Sequence, residues 1–224
     1  MAGATRPRGV DDLRQLEARG DCPDFLFFWG HRPQRDGGIG PGCLSQWWPA
    51  PFQVDGVTYA TAEHFMMVGK ARLFGDQVTA SRILGTSSPS DAKALGRSVR
   101  DYDEKLWVES CYGIVVEGNL AKFGQQPDLL AYLAATAGSV LVEASPVDRV
   151  WGIGLAAADS RASRPSQWEG LNLLGFALMD VREQLAAEPP GTLGADREPL
   201  PADLVSEAAR RLACQPRMPN SPHH

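Results

Sequence analysis

Phe52-Gln53-Val54-Asp55-Gly56-Val57-Thr58-Tyr59-Ala60-Thr61-Ala62-Glu63-His64-Phe65-Met66-Met67-Val68-Gly69-Lys70 holds the change of period on which the fold turns. Asp55-Gly56 between two short β-prone runs is a hairpin signal. Thr61 then reads as the N-cap of a helix from Ala62 to about Phe74. Downstream, apolar periodicity predicts helices over 76–84, 90–99, 104–123 and 127–136, carried by Leu95, Val99, Leu106, Ile114, Val115 and Leu120. A closing helix runs from Gly170 to Leu185.

Strand-length runs are few. Phe25 to Trp29 is one, Leu44 to Trp48 a second, and Val140 to Glu143 a third, with Asp148 to Gly154 extended. The expected class is therefore mainly α with small β elements (α+β), in a single compact domain over 22–187. Residues 1–21 form an arm whose short helix, around Leu13 and Leu16, offers little to bury. Residues 188–224 read as a mostly disordered tail, because seven prolines after Leu185 break any long element. One short amphipathic helix over 202–213 is compatible with Leu204, Ala208 and Leu212.

Bulk properties exclude several classes. A net charge of −5 across 224 residues argues against sequence-independent duplex DNA binding, which needs clustered Lys and Arg. It leaves room for a local basic pocket. The four cysteines, Cys22, Cys43, Cys111 and Cys214, form no CxxC pair, so neither a zinc site nor a disulfide framework is indicated. The first twenty residues lack an apolar core, and no run approaches a membrane span. A cytoplasmic protein with reduced thiols, no cofactor and no membrane partner is expected. Gly152-Ile153-Gly154-Leu155-Ala156-Ala157 imitates a dinucleotide fingerprint but lacks its βαβ frame. No P-loop or GxSxG elbow occurs.

Glu63 lies in the first helical turn after Thr61, where the helix dipole alone would favour a carboxylate. It is not a capping-box residue, since His64 holds that position. Lys70 returns to the same face two turns later, about 10 Å along the axis. Met66 and Met67 lie between them, an odd composition both for a solvent face and for a core. Six tryptophans, Trp29, Trp47, Trp48, Trp107, Trp151 and Trp168, supply flat platforms for a heterocycle, although single tryptophans usually fill cores. The loop His31 to Gly42, with Arg32 and Arg35, reads as a solvated connection or as a basic lid over an anion.

Taken in order, Phe28-Trp29-Gly30, Leu44-Ser45-Gln46-Trp47-Trp48-Pro49, Ala62-Glu63-His64-Phe65-Met66-Met67 and Lys70-Ala71-Arg72-Leu73-Phe74 form a pattern. It continues through Leu95-Gly96-Arg97-Ser98-Val99, Asn119-Leu120-Ala121-Lys122-Phe123, Val142-Glu143-Ala144-Ser145-Pro146 and Asp148-Arg149-Val150-Trp151-Gly152-Ile153-Gly154. It closes with Trp168-Glu169-Gly170-Leu171-Asn172-Leu173-Leu174-Gly175. From about Phe25 to Leu185 the chain resembles the YbiA-like, or NADAR, family of N-glycosidases. The resemblance implies cleavage of N-glycosidic bonds in one of two settings. These are the phosphoribosylamino-pyrimidine intermediates of riboflavin synthesis, and ADP-ribose attached to guanine, including guanine within nucleic acid. It places the family's catalytic Glu on Glu63, its helix Lys on Lys70 and its functional tryptophans on Trp107 and Trp151, with Asp148 beside the latter. Trp29, Arg72 and Asn172, in the shared motifs, complete the candidate binding set. Met66-Met67 departs from the polar pair of shorter members.

A ribosyl C–N bond breaks through a transition state with positive charge on C1′ and the ring oxygen, which a carboxylate stabilises while deprotonating water. Glu63 is the candidate for that role. Asp148 would hydrogen-bond the base or cap its own turn, and Arg32, Arg72 or Arg97 would meet phosphate. A second route makes Lys70, desolvated by the thioethers, a nucleophile forming a Schiff base with the opened sugar. Against both stands a non-catalytic module that binds ADP-ribose or a nucleotide.

Overall fold

Eight consecutive buried residues, Thr61 to Val68, explain why the helix after the hairpin is central. In the computed structural model, which describes residues 6–187, that helix is α2 (Ala62–Leu73). Before it come α1 (Val10–Ala18), β1 (Phe25–Phe28), β2 (Phe52–Val54) and β3 (Val57–Tyr59). After it come α3 (Gln77–Leu84), α4 (Pro89–Arg97), α5 (Glu104–Gln125), α6 (Pro127–Ala135), β4 (Val140–Glu143) and α7 (Leu173–Ala187). The expected class, mainly helical with small β elements, is the one observed.

Local signals account for most boundaries. The β2–β3 hairpin pairs Phe52 with Tyr59, and its turn places Asp55 at φ 50° and Gly56 at φ 73°. Those two positive values are what a two-residue turn of matching twist requires. Thr61 accepts from the His64 backbone N–H, and Asp76, Ser88 and Asp103 cap α3, α4 and α5 in the same way. Helix α2 packs on α3, α4 and α5. Gly96 of α4 lies against Met67, and Gly118 of α5 against Phe65, so a Cβ at either position would collide with α2.

β1 and β4 form a parallel pair, Phe25 with Val140 through Phe28 with Glu143. Parallel pairing sets both C-terminal ends at one edge, so Trp29 and Glu143 leave the sheet on the same side. α7 packs against β4 and α5.

Three expectations are corrected. Leu44 to Trp48 is no strand: Pro41–Leu44 is a 3-10 turn, and the following segment is tied by side chains rather than by a ladder. Lys122 on α5, fully buried, donates to the carbonyls of Cys43 (2.7 Å) and Ser45 (2.9 Å). Asp148 to Gly154 is a folded loop that adds no strand: its backbone bonds to residues 169–174 and, through the Ile153 N–H, to the end of β4. The amino-terminal arm is also part of the core. Val10 and Leu13 are buried, and Arg6 pairs with Asp180 of α7, which also accepts from the Tyr112 hydroxyl. The expected tail and its helix over 202–213 lie outside the described residues.

Candidate functional site

The Glu63 backbone N–H donates to the Gln46 carbonyl at 3.0 Å, and the Gln46 side chain accepts from Asn119 of α5 at 2.8 Å. With Lys122 holding Cys43 and Ser45, these bonds fix the segment that presents Trp47 to Glu63. The Glu63 carboxyl, 5% exposed, is raised above the ordinary carboxylate range by burial. Lys93 of α4, the Trp47 indole and Arg97 act in the opposite direction, favouring its charged form, while Asp148 adds to the rise. The Lys93 ammonium lies 6.0 Å from the Trp47 ring centre, and the His31 ring centre lies 5.7 Å from that of Trp47.

The opposite wall is built from β4 and the loop after it. Asn172, at φ 53° and fully buried, donates to the Leu141 carbonyl and accepts from the Glu143 N–H, both at 2.9 Å. The Ile153 N–H donates to the Glu143 carbonyl at 2.9 Å. Asp148 Oδ1 accepts from the backbones of Val150 (2.9 Å) and Trp151 (2.8 Å), so this carboxylate does cap its own turn. The same turn sets Asp148 within electrostatic reach of Glu63 and Glu143. Burial first, then Asp148 and Glu63, push the Glu143 carboxyl up to about 8 against the pull of Lys93.

A second, basic half adjoins the first. Lys70 sits 4.3 Å from the Tyr102 ring centre and 5.4 Å from that of Trp107. Burial and the neighbouring Arg97 lower its pKa. Arg97 is common to both halves, since its charge reaches Glu63 as well as Lys70.

The fold therefore brings Glu63 and Asp148 together and links Lys70 and Trp107 to them through Arg97. Trp151 stands on the Asp148 turn, partly buried against the core. Trp29 is 60% exposed beyond the edge from which Glu143 emerges. Arg72 points elsewhere: two residues past Lys70, it donates to the Tyr59 hydroxyl at 2.9 Å beside β3. Asn172 has both ends of its amide engaged by β4, which makes it a support of Glu143 rather than a group that faces a ligand. Met66 and Met67 are core, and the groups that desolvate Lys70 include aromatic rings. Arg32 and Arg35 are exposed in a loop closed by Gln34–Gly38 backbone bonds.

Lys93 and Glu143 were not among the sequence candidates. Glu143 had a signal, an ionisable residue ending the apolar run Val140-Leu141-Val142 at the open end of a strand. Lys93 had none, because a lysine in the charged helix Ser90 to Arg97 reads as a solvated face.

Among the described residues, no three acidic, histidine or cysteine side chains are arranged to hold a metal ion, and no helix is long and apolar enough to cross a membrane. Glu63, Asp148 and Glu143 lie within reach of one another's charge.

Comparison with known proteins gives the chain its relatives. An N-glycosidase of Acanthamoeba polyphaga mimivirus is 39% identical over 165 residues, covering 71% of this chain and 95% of that protein. N-glycosidase YbiA of Escherichia coli (strain K12) is 35% identical over 147 residues, covering 66% and 83%. The solution structure of Escherichia coli YbiA superposes with a TM-score of 0.59 at 30% identity, over 73% of this chain and 86% of that one. The NADAR domain model matches residues 27–186, and the chain belongs to the NADAR domain family.

Proposed function

We propose that the protein is an N-glycosidase that hydrolyses the bond between a ribose unit and a nucleobase-like leaving group. The observation that carries this reading is Glu63: a carboxylate buried at a helix N-terminus, facing a lysine, an indole and two further carboxylates. The N-glycosidase names of the viral and bacterial relatives support it. Ionised Glu63 would stabilise positive charge at C1′ and take a proton from the attacking water. Its raised pKa makes it a stronger base than an exposed carboxylate while the N-terminus of α2, Lys93 and Trp47 keep its anion accessible. Trp151 or Trp107 would stack the base. Lys70 and Arg97 form the cationic half, suited to a phosphate or diphosphate on the ribose.

A ribose 5-phosphate and an ADP-ribose both satisfy that description, so two substrates follow. Phosphoribosylamino-pyrimidines come first, because one phosphate matches the single Lys70–Arg97 pair. ADP-ribosylated guanine comes second. Incubation with each, followed by mass spectrometry for the released base, tests the reading. Release from the pyrimidine substrate is expected. Tight binding of both without release from either would overturn hydrolysis and identify a binding module.

A further inference from the structure

Glu143 is the one carboxyl of the site whose surroundings offer its anion little. Its Oε2 is sealed from solvent and has no hydrogen-bond partner among the described residues. Three charged groups face it from the elements packed around it: Asp148 from the following loop, Lys93 from α4 and Glu63 from α2. Two are negative. Glu63, by contrast, sits in the first turn of α2 and shares Lys93, Trp47 and Arg97. At Glu143, Lys93 alone opposes two neighbouring negative charges and burial, so the acid form is favoured there. The environments decide which group holds the proton. Helix N-terminus, indole and arginine favour the anion at Glu63, while the isolated Oε2 favours the acid at Glu143.

The backbone of Glu143 is tied on both sides. Asn172 and Ile153 fix its N–H and carbonyl, and a Cβ on Gly152 would come within 2.8 Å of that carbonyl oxygen. These bonds fix the point from which the Glu143 side chain leaves the backbone.

We infer that Glu143 is the proton donor of the site, delivering its proton to the leaving nitrogen while Glu63 takes one from water. The inference rests on the N-glycosidase reading and completes its proton balance. The water oxygen bonds to C1′ and its proton passes to Glu63. The C1′–N bond breaks, its electron pair stays on nitrogen, and nitrogen takes the Glu143 proton. The products are a ribose unit with a hydroxyl at C1′ and a free base. The proton gained by Glu63 then returns to Glu143, directly or through water, which restores both groups.

Two measurements on the full chain test it. Carbon-13 NMR of glutamate side-chain carboxyls, with Glu143 assigned from Glu143→Gln, should show that carboxyl protonated at neutral pH and titrating near 8. Base release from a phosphoribosylamino-pyrimidine should fall with rising pH through the same range in the wild type. Glu143→Gln should lower kcat/KM at least ~100-fold at neutral pH and abolish that alkaline limb, while Glu143→Asp retains the limb. A Glu143 carboxyl ionised at neutral pH overturns the proposal. So does a Glu143→Gln enzyme within a few-fold of wild type, or one that is slow but keeps the limb. Those results leave hydrolysis standing. A wild type that releases no base at any pH sinks the N-glycosidase reading and the donor role with it.

Discussion

Lys122 and Cys43 are joined by a hydrogen bond of 2.7 Å from the lysine Nζ to the cysteine carbonyl, in a position from which water is excluded. The bond crosses from α5 to the segment carrying Trp47, and a second, to Ser45, doubles it. Burial lowers the Lys122 pKa to about 7, against about 10.4 in an unfolded chain. Above pH 7 the unfolded state therefore binds more protons at this site, and raising pH favours the folded state.

Buried Cys43 and Cys111, pushed up to about 11 and about 12, act in the opposite direction once an unfolded thiol ionises, so the window to examine ends near about pH 8.5. Lys122→Met removes the titrating group. The stability of wild type relative to this variant, from urea melts, should grow by about 1–2 kcal/mol between pH ~7 and ~8.5. A difference that stays constant would show Lys122 to be charged throughout.

Glu63→Gln keeps the shape of the buried side chain and removes its charge. Turnover should fall by about 10²–10³-fold or more, with ligand affinity changed only a few-fold in calorimetry. The acid limb of the wild-type pH profile should lie above the ordinary carboxylate range, since Glu63 must be ionised to act and its pKa is raised. Turnover near the wild-type rate would reduce Glu63 to a helix-start residue.

Lys70 separates the two chemical routes. As a cation holding phosphate between Tyr102, Trp107 and Arg97, it should tolerate Lys70→Arg with much of the activity kept. As a nucleophile it should not, because a guanidinium stays protonated and forms no imine. Borohydride added during turnover should leave no adduct on the water route. A sugar trapped on Lys70, with an inactive arginine variant, would replace the water route with the Schiff-base route.

Asn172→Ala removes two buried hydrogen bonds to β4 and places alanine at φ 53°, where asparagine is better tolerated. A loss of roughly 2–4 kcal/mol is expected in denaturant melts. Asn172→Gly, free of the backbone penalty, should recover part of it. If both variants melt like wild type, the clamp on β4 contributes nothing.

Deleting residues 1–18 strips Val10 and Leu13 from the core and leaves Asp180 without Arg6, at a cost of about 3 kcal/mol or more. Stopping the chain after Ala187 removes none of the packing among residues 6–187, and its melting temperature should stay within about 2 °C of the full chain. Thermal melts of the two truncations distinguish these cases.

Much of this was legible from local chemistry. Thr61, Asp55-Gly56 and the apolar spacing of 104–123 act through neighbours in sequence, and they mark α2, the hairpin and α5 without reference to the rest of the chain. That Glu63 and Lys70 share one helix was legible for the same reason. Leu44 to Trp48 was misread because its conformation is imposed from α5, by Asn119 and Lys122, and no local pattern carries that information. The arm was undervalued for a similar reason: Leu13 is one leucine in a polar helix, yet the surface awaiting it is formed far along the chain. Asn172 and Arg72 show the converse. Their side chains look suited to a ligand, and their partners, β4 and Tyr59, are visible only in three dimensions.

The parallel pairing of Phe25–Phe28 with Val140–Glu143 also has a bearing on how the chain acquires its structure. Closing so long a loop carries a large entropic penalty before any contact repays it, so this step belongs late in folding. Glu63 lies on a hairpin-and-helix unit local in sequence, expected to form early, whereas Glu143 reaches its place only when the strands meet. During refolding from denaturant, helical signal should therefore recover before ligand binding does. A ribosome releasing this chain would likewise produce a partly helical intermediate without an assembled site until α7 has emerged to cover β4.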